Sequence, residues 1–299
     1  MRFLFHYPEL AGDQGDLLDA GPLAEVAAAA ELNGFDGFSI SEHPAPGARW
    51  LASGGHQTLD PFVALSFAAA ATTRLRLLTY LSVAPYRNPM LLAKAAATLD
   101  LLSGGRLTLG LGTGYLKGEF HALGVDFAER NTLFDEALDV LPLHWSGEPF
   151  SYTGAHFDAR EVVARPRPVQ RPIPIWVGGN SALSRRRVGA KAQGWIPMTG
   201  GAELSTTART AELGTIPELA RKIGEIREQA AAAGRTEHID LVYSYHAAAD
   251  PEIEPERHRA AFAELAAAGV DWLVISNRTP TAAATFDFLA AFGTTYLAS

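Results

Sequence analysis

Cysteine is absent from the 299 residues of the chain. This absence excludes a disulfide, a thiol nucleophile and any zinc or iron–sulfur centre with cysteine ligands, and it is typical of a protein in a reducing cytoplasm. Positive charge is also scarce, because 25 Lys and Arg residues stand against 33 Asp and Glu residues, for a net charge of -8. Such a balance disfavours non-specific binding to nucleic acids or to an anionic membrane.

Long apolar runs are missing as well. The longest covers residues 61–71, which is well short of the roughly 20 residues that span a bilayer. Pro8 and Glu9 interrupt the apolar N-terminal stretch too early for a signal peptide. We therefore expect a cytoplasmic protein without a membrane partner. Hydrophobic residues, at 47%, are numerous enough for a sizeable core.

Short β-branched or aromatic segments alternate along the chain with longer Ala- and Leu-rich segments of helical period. The predicted strands cover residues 2–6, 37–40, 75–81, 106–111, 173–177, 195–197, 239–245 and 270–276. Eight strands with intervening helices favour a closed (β/α)8 TIM barrel over an open sheet. The sequence therefore predicts an α/β protein with a single barrel domain over residues 1–299.

Two connections are longer than a plain strand–helix unit needs. An insertion of about residues 116–171 after strand four contains a predicted helix at 127–145 and a predicted small hairpin at 150–157. After strand six, a segment of about residues 198–215 is rich in Gly, Ser and Thr. Loops of this length are uncommon unless functional, and we interpret the second as a mobile lid over the site.

Barrels of this kind carry their active sites at the C-terminal ends of the strands. In this chain those ends carry residues 41–43, 82–88, 112–115, 178–181 and 198–199. His43 can give or take a proton near neutral pH, or it simply bonds the neighbouring loop. Glu42 either orients this imidazole or pairs with a surface arginine.

Glycines and small polar residues dominate the other strand ends. Residues 110–114 lack the full dinucleotide-binding spacing, but their bare backbone lets a planar ligand approach closely. Residues 178–181 open a helix, whose N–H groups bind phosphate unless Asn180 or Ser181 merely caps it. The histidines lack metal-ligand spacing, so we expect no catalytic metal. The pattern favours a flat, phosphorylated cofactor that carries its own reactivity.

Several motifs together resemble the luciferase-like monooxygenase (bacterial luciferase) superfamily, which includes coenzyme F420-dependent oxidoreductases. They occur in order between residues 37 and 198. The matching segments are residues 41–43, 85–94, 98–106, 110–115, 165–170, 174–181 and 194–197. The resemblance implies a (β/α)8 barrel, usually a homodimer, that holds FMN or coenzyme F420 at its strand ends.

The resemblance also implies roles for individual residues. His43 matches the active-site histidine beside the ring, and Ser82 matches the strand-three bulge under the ring, which often contains a non-proline cis peptide. The remaining cofactor-binding positions are Glu42, Gly112, Thr113, Gly178, Gly179, Asn180 and Ser181, with the last four at the phosphate end. Apart from the resemblance, we expect the substrate side to include Tyr86, Tyr115 and Met198, together with Tyr7, Trp50 and His56. A catalytic Glu of the sugar-phosphate dehydrogenase branch is replaced here, at Gly114 or Tyr115.

Three functions follow as hypotheses. The first is hydride transfer between reduced coenzyme F420 and a small organic substrate, with His43 as proton donor or acceptor. The second is a monooxygenase that uses O2 and reduced FMN from a partner flavin reductase. The third is a non-catalytic flavin-binding protein, for which the presence of His43 is unfavourable. The sequence does not identify the substrate.

Overall fold

The computed structural model describes residues 1–9, 15–199, 206, 210–277 and 279–298. Within these ranges eight parallel strands form a barrel, which closes where β3 pairs with β5. The strands are, in chain order, β1 (Arg2–His6), β2 (Gly37–Ile40), β3 (Arg76–Thr79), β4 (Ser82–Val83), β5 (Leu107–Gly112), β6 (Phe150–Thr153), β7 (Asp158–Val162), β8 (Ile175–Gly178), β9 (Gly194–Ile196), β10 (Asp240–Ser244) and β11 (Trp272–Ile275). β4 pairs with β5 beyond the end of β3, and β6 and β7 form a separate antiparallel pair.

Helices surround this barrel. They are α1 (Leu23–Leu32), α2 (Ala48–Ala52), α3 (Pro61–Ala71), α4 (Pro89–Leu102), α5 (Lys117–Ala122), α6 (Arg130–Ser146), α7 (Ala182–Lys191), α8 (Ile216–Ala232), α9 (Pro255–Ala267) and α10 (Ala282–Phe292). Local sequence determines several of their starts. The side chains of Asp60 and Asn88 accept hydrogen bonds from the first turns of α3 and α4, and a proline follows each cap.

Apolar side chains fill the barrel interior below the C-terminal ends of its strands. Trp176 and Trp272 lie in contact inside the barrel, with ring centroids 5.6 Å apart, and the side chains of Leu4, Leu78 and Val242 pack with them. Tyr80 and Leu81 cover this apolar cluster toward the C-terminal strand ends. Because these side chains pack closely, the space available to a ligand lies at the C-terminal mouth of the barrel.

The predicted (β/α)8 barrel is confirmed, as is the hairpin, which is β6 and β7. Several predicted elements differ from the structure: the hairpin, predicted at 150–157, extends to Val162, and the short helix α2 was not predicted. Strand three is not continuous over 75–81, because a cis peptide bond joins Tyr80 to Leu81 between β3 and β4. The short helix α5 was not predicted, and the helix expected at 127–145 begins as a 3-10 turn before α6. Within the predicted lid, residues 200–205 and 207–209 lie outside the described residues.

No described helix is both long and apolar enough to cross a membrane.

Candidate active site

A cavity of about 390 Å³ opens at the C-terminal ends of the strands. This is the end at which the strand-end rule places the candidates. Ten of the predicted site residues line it: Glu42, His43, His56, Gly112, Thr113, Tyr115, Gly178, Gly179, Ser181 and Met198. The walls also include His6, Glu9, Ser41, Leu81, Ser184 and Thr210. The strand ends thus converge on one space, as the sequence predicts.

His43 is held from two sides. Its Nδ1 lies 3.3 Å from Oε2 of Glu119, and its ring contacts the Trp50 indole at a centroid distance of 4.6 Å. Glu119 comes from α5 and is almost wholly buried, and its Oε2 also accepts a 2.7 Å hydrogen bond from the Tyr86 hydroxyl. With Nδ1 bound to this carboxylate, Nε2 is the nitrogen left to face the cavity.

Glu42 does not orient His43, which corrects one of the two sequence interpretations. Its carboxylate accepts hydrogen bonds from the backbone N–H of Val83 at 2.6 Å and the Ser82 hydroxyl at 3.0 Å, and it pairs with Arg87. Burial raises the pKa of Glu42, and Arg87 and these hydrogen bonds offset that effect only in part. Glu42 therefore fixes the start of β4 while lying against the cavity wall.

Ser82 is not the cavity-facing residue of strand three. Its side chain is wholly buried and bonded to Glu42, whereas Leu81 and Val83 line the cavity. The non-proline cis peptide lies just before Leu81. The expected non-proline cis bond is present. The residue that lines the cavity, however, is Leu81, one position before Ser82, which we predicted to lie under the cofactor ring.

The glycines at the ends of β5 and β8 make room for the Leu81 side chain. A methyl group on Gly178 would clash with Cδ1 of Leu81, and one on Gly112 would lie 3.4 Å from the same atom. A side chain at Gly178 would therefore displace Leu81, whereas a methyl group at Gly112 would make an ordinary contact with it. The side chain of Leu81 and the bare backbone of these glycines form a flat, apolar floor to the cavity.

Hydroxyl groups gather where α7 begins. Ser181 caps the helix by accepting a 3.0 Å hydrogen bond from the Ser184 backbone N–H, and both side chains line the cavity with Thr210. Asn180, which we predicted at the phosphate end, is instead wholly buried. Its amide nitrogen donates to the carbonyl oxygens of Met198 and Ala211 at 2.8 and 2.7 Å. It ties two ends of the predicted lid segment to β8.

The aromatic residues predicted on the substrate side separate into two groups. Tyr115 lines the cavity, and burial together with Glu119 and Glu9 raises its pKa to about 12. Tyr86 is buried on Glu119, and burial and this carboxylate raise its pKa strongly. Tyr7 also lies in the core, where its hydroxyl donates to the carbonyl oxygen of Gly21 at 2.6 Å.

A second carboxylate, Glu9, enters the cavity wall after β1. Its Oε2 lies 2.8 Å from Nε2 of His56, its Oε1 lies 3.2 Å from Nε2 of His6, and Ser41 donates to it through its backbone N–H and hydroxyl. Burial alone raises the pKa of Glu9, but the two imidazoles outweigh it and hold the pKa well below the usual range. Burial lowers the pKa of His56, and Glu9 and Glu119 outweigh that effect and raise it.

Sequence reasoning missed Glu119, Glu9 and His6. The sequence distance between Glu119 and His43 is 76 residues, and no local pattern joins them. One signal was available for Glu119. Like Glu42, it follows a strand-end segment, and few other acidic residues occur in this part of the chain. Glu9 follows the end of β1, and the strand-end rule applied to that strand would have included it.

A three-residue group lies at the opposite end of the barrel. His238, Asp240 and Asp271 bring ligand atoms within 4.8 Å of one another among the described residues. Asp240 already accepts a 2.7 Å hydrogen bond from Arg2 and a 3.1 Å one from the Trp272 indole. These existing partners identify it as part of the barrel's closing contacts, away from the cavity.

A family model described as luciferase-like monooxygenase matches residues 1–286 of the chain. An uncharacterized protein of Mycobacterium tuberculosis is 34% identical over 186 residues, which cover 58% of this chain and 66% of the relative. The FMNH(2)-dependent dimethylsulfone monooxygenase of Pseudomonas putida is 27% identical over 278 residues, covering 89% of this chain and 70% of that enzyme. The F420-dependent glucose-6-phosphate dehydrogenase of Segniliparus rotundus is 32% identical over 232 residues, covering 75% and 64%.

The same barrel is present in solved structures. Monooxygenase RslO1 from Streptomyces bottropensis superimposes with a TM-score of 0.75 at 22% sequence identity, over 99% of both chains. At this sequence identity the similarity supports the fold, and the reaction has to be inferred from the residues of the site. The matched relatives use two different cofactors, F420 and reduced FMN.

Proposed function

Because the chain belongs to the luciferase-like monooxygenase family, we propose that it is an oxidoreductase that binds reduced coenzyme F420 in the cavity. Its partner in the reaction is a small organic substrate, which exchanges a hydride with the cofactor. The observation that carries this proposal is the arrangement around the cavity. An apolar, glycine-lined floor lies between a carboxylate-held imidazole on one side and the hydroxyl-rich start of α7 on the other.

The residues present fit such a cofactor. The flat floor of Leu81, Gly112 and Gly178 suits an aromatic ring system, because bare backbone permits close approach. The hydroxyls of Ser184 and Thr210, with the N-terminus of α7, suit a phosphate group. The cavity volume, about 390 Å³, lies within the roughly 300–1,000 Å³ range of ligand pockets. Bound there, a reduced deazaflavin supplies a hydride.

The chain's own contribution is positioning and proton transfer. Glu119 binds Nδ1 of His43 and thereby directs Nε2 toward the substrate. In the direction of carbonyl reduction Nε2 gives a proton to the substrate oxygen, and in the reverse direction it accepts one. Trp50 and Tyr115 pack on the imidazole and exclude water from one side. A fixed acid–base group of this kind matches hydride transfer, which requires one proton for each hydride.

A second candidate is a monooxygenase that uses O2 and reduced FMN from a partner reductase. What favours it is the breadth of the match to the dimethylsulfone monooxygenase, which covers 89% of this chain. The ring floor and phosphate end would hold FMN through the same residues, because both cofactors join a flat tricyclic ring to a phosphate.

Direct binding separates the two candidates. We expect the purified protein to bind coenzyme F420, measured by quenching of cofactor fluorescence, more tightly than FMN or reduced FMN. Ser184→Ala should weaken binding by about 0.5–1.5 kcal/mol through loss of a hydrogen bond, whereas Ser146→Ala, on an exposed position of α6, should not. Tight FMN binding with no F420 binding would overturn the first candidate in favour of the second.

The role of His43 needs its own measurement. With a carbonyl or alcohol substrate identified by screening, we expect His43→Ala to lower kcat by roughly 100-fold or more, as loss of a general acid–base group does. Full turnover in this variant would assign the proton to another group. A protein that binds the cofactor but turns over no substrate with any variant would support a non-catalytic flavin-binding function.

A further inference from the structure

A second imidazole in the cavity, that of His56, is bound by a carboxylate in the same way as His43. Nε2 of His56 is bound to the partly buried Glu9 at 2.8 Å, much as Nδ1 of His43 is bound to the buried Glu119 at 3.3 Å. Among the described residues, neither Nδ1 of His56 nor Nε2 of His43 has a hydrogen-bond partner. Each ring therefore has one nitrogen held by a carboxylate and one nitrogen available for proton transfer.

The two rings touch each other. Their centroids are 4.9 Å apart and their planes lie at 85°, so the edge of one ring meets the face of the other. Trp50 packs against both rings, at 4.6 Å from His43 and 5.3 Å from His56. The indole keeps the imidazoles together without offering either a competing acceptor, because its nitrogen is a donor only.

The rings differ in their access to solvent. The side chain of His43 is only 9% exposed, whereas that of His56 is 30% exposed. A proton gained by His43 during the proposed reaction has to leave this nearly buried ring before the next turnover. His56 contacts His43 and is the more exposed of the two rings, so it offers that proton a route to solvent.

We propose that His56, positioned by Glu9, is the proton relay between His43 and bulk water. This inference rests on the proposed function of His43. In the relay step the N–H bond at Nε2 of His43 breaks and one at Nδ1 of His56 forms, directly or through one water molecule. His56 then releases the proton to solvent, and the reverse sequence recharges His43. No oxidant or reductant is needed, since only a proton moves.

The charges around the rings favour this exchange. The titratable groups that face them are His6 at the end of β1, Glu9 after it, Glu119 on α5 and Tyr115 after β5. The two carboxylates attract protons to the imidazoles, while the short distance between the rings disfavours charging both at once. One mobile proton shared by two rings is the arrangement that a relay requires.

The first test uses the cofactor-free protein. The titration midpoint of the His56 ring is followed by nuclear magnetic resonance in the wild type and in His43→Gln, where Gln still donates to Glu119. We expect the midpoint of His56 to rise by about one pH unit in the variant, because a competing charge in contact has been removed. Glu9→Gln should lower the same midpoint. A His56 midpoint unchanged in His43→Gln would overturn the proposal.

The second test measures the relay itself. In the same cofactor-free protein we expect the exchange of the cavity-facing His43 ring proton with water to slow by about tenfold or more in His56→Gln. Added imidazole should restore the rate, which a purely structural role of His56 would not allow. His238→Gln, a change to an exposed histidine 62% open to solvent at the other end of the barrel, is the matched control.

The outcomes also separate this inference from the proposed function. Coupled titration and rescued exchange support the relay whichever cofactor binds. Unchanged exchange in a His56→Gln protein that still folds and still binds coenzyme F420 overturns the relay and leaves the proposed function in place. Failure of the wild type to bind F420 or FMN overturns the proposed function, while the titrations still decide whether the rings share a proton.

Discussion

His43 and His56 obtain their polar partners from distant positions in the chain. Glu119 is buried and Glu9 largely so, and each carboxylate binds one nitrogen of one imidazole. A carboxylate removed from water is costly unless it is paired, so each of these contacts contributes to stability as well as to the proposed proton transfer. The lowered pKa of Glu9 and the raised pKa of His56 express this mutual stabilisation.

The pairing of Glu9 with His56 predicts a particular pH dependence of stability. The folded-state pKa of Glu9 lies below its usual 4.5 and that of His56 lies above its usual 6.5, so the pair contributes in full between these two values. The contribution is lost as pH falls through the lowered pKa of Glu9 or rises through the raised pKa of His56. In this window we expect Glu9→Gln to reduce the free energy of unfolding by about 1–3 kcal/mol, measured by urea denaturation.

The matched control is Glu237→Gln, at a side chain 69% exposed, which should change stability little at any pH. A Glu9→Gln deficit that stayed constant from acidic to alkaline pH would contradict the charge pairing.

Among the elements, the junction between β3 and β4 determines the cavity floor. The chain leaves β3 at Thr79 and resumes pairing at Ser82, and the Leu81 side chain between them lies on the glycines of β5 and β8. Glu42 fastens the far side of the junction through the Val83 backbone N–H and the Ser82 hydroxyl. The floor thus depends on three strands meeting around one leucine.

We expect Gly178→Ala to disturb this floor, because the added methyl group clashes with Leu81. The clash should reduce the free energy of unfolding by about 1–3 kcal/mol and weaken cofactor binding, measured by thermal unfolding and fluorescence titration. Adding Leu81→Ala should recover part of the stability, since it removes the atoms that clash.

Gly224→Ala on α8 meets no atom within 4 Å and is the matched control. It should leave binding unchanged and stabilise the helix by roughly 0.5–1 kcal/mol. Equal stability losses in the two glycine variants would exclude Leu81 as the cause.

Among the helices and strands, the features that the sequence predicted correctly are those set by residues close together in the chain. The starts of α3 and α4 were predicted because Asp60-Pro61 and Asn88-Pro89 act within one turn. The interruption after Thr79 was not predicted, since residues 75–81 contain no glycine or proline and fit one continuous strand. The strand is divided because Ser82 pairs with Leu111 and its hydroxyl donates a hydrogen bond to Glu42. Both of these partners come from distant parts of the chain.

For the whole molecule, the resemblance implies a homodimer, and this stays a prediction. One face of the barrel suits a second copy of the chain. Val63 and Phe67 on α3, with Leu91 and Leu102 on α4, are each more than half exposed, and α3 contains no charged residue. Two chains that each carry a net charge of -8 repel least through an uncharged apolar face.

We expect Phe67→Lys to convert a dimer into a monomer, because it places a buried charge in the interface on both copies. Light scattering coupled to size-exclusion chromatography measures the mass directly. Ile253→Lys changes another exposed apolar side chain, just before α9, and should leave the mass unchanged. A wild-type protein that is monomeric at high concentration would contradict the expected dimer.

The sequence by itself determined the barrel, because alternating apolar periods and short-range caps act over a few residues. It also determined which strand ends line the cavity, since parallel strands of a barrel end on one side. Only the tertiary structure decided which polar groups meet there. Glu119 reaches His43 across 76 positions and Ser82 turns away from the cavity toward Glu42. Such contacts depend on packing between separate elements, which no local pattern encodes.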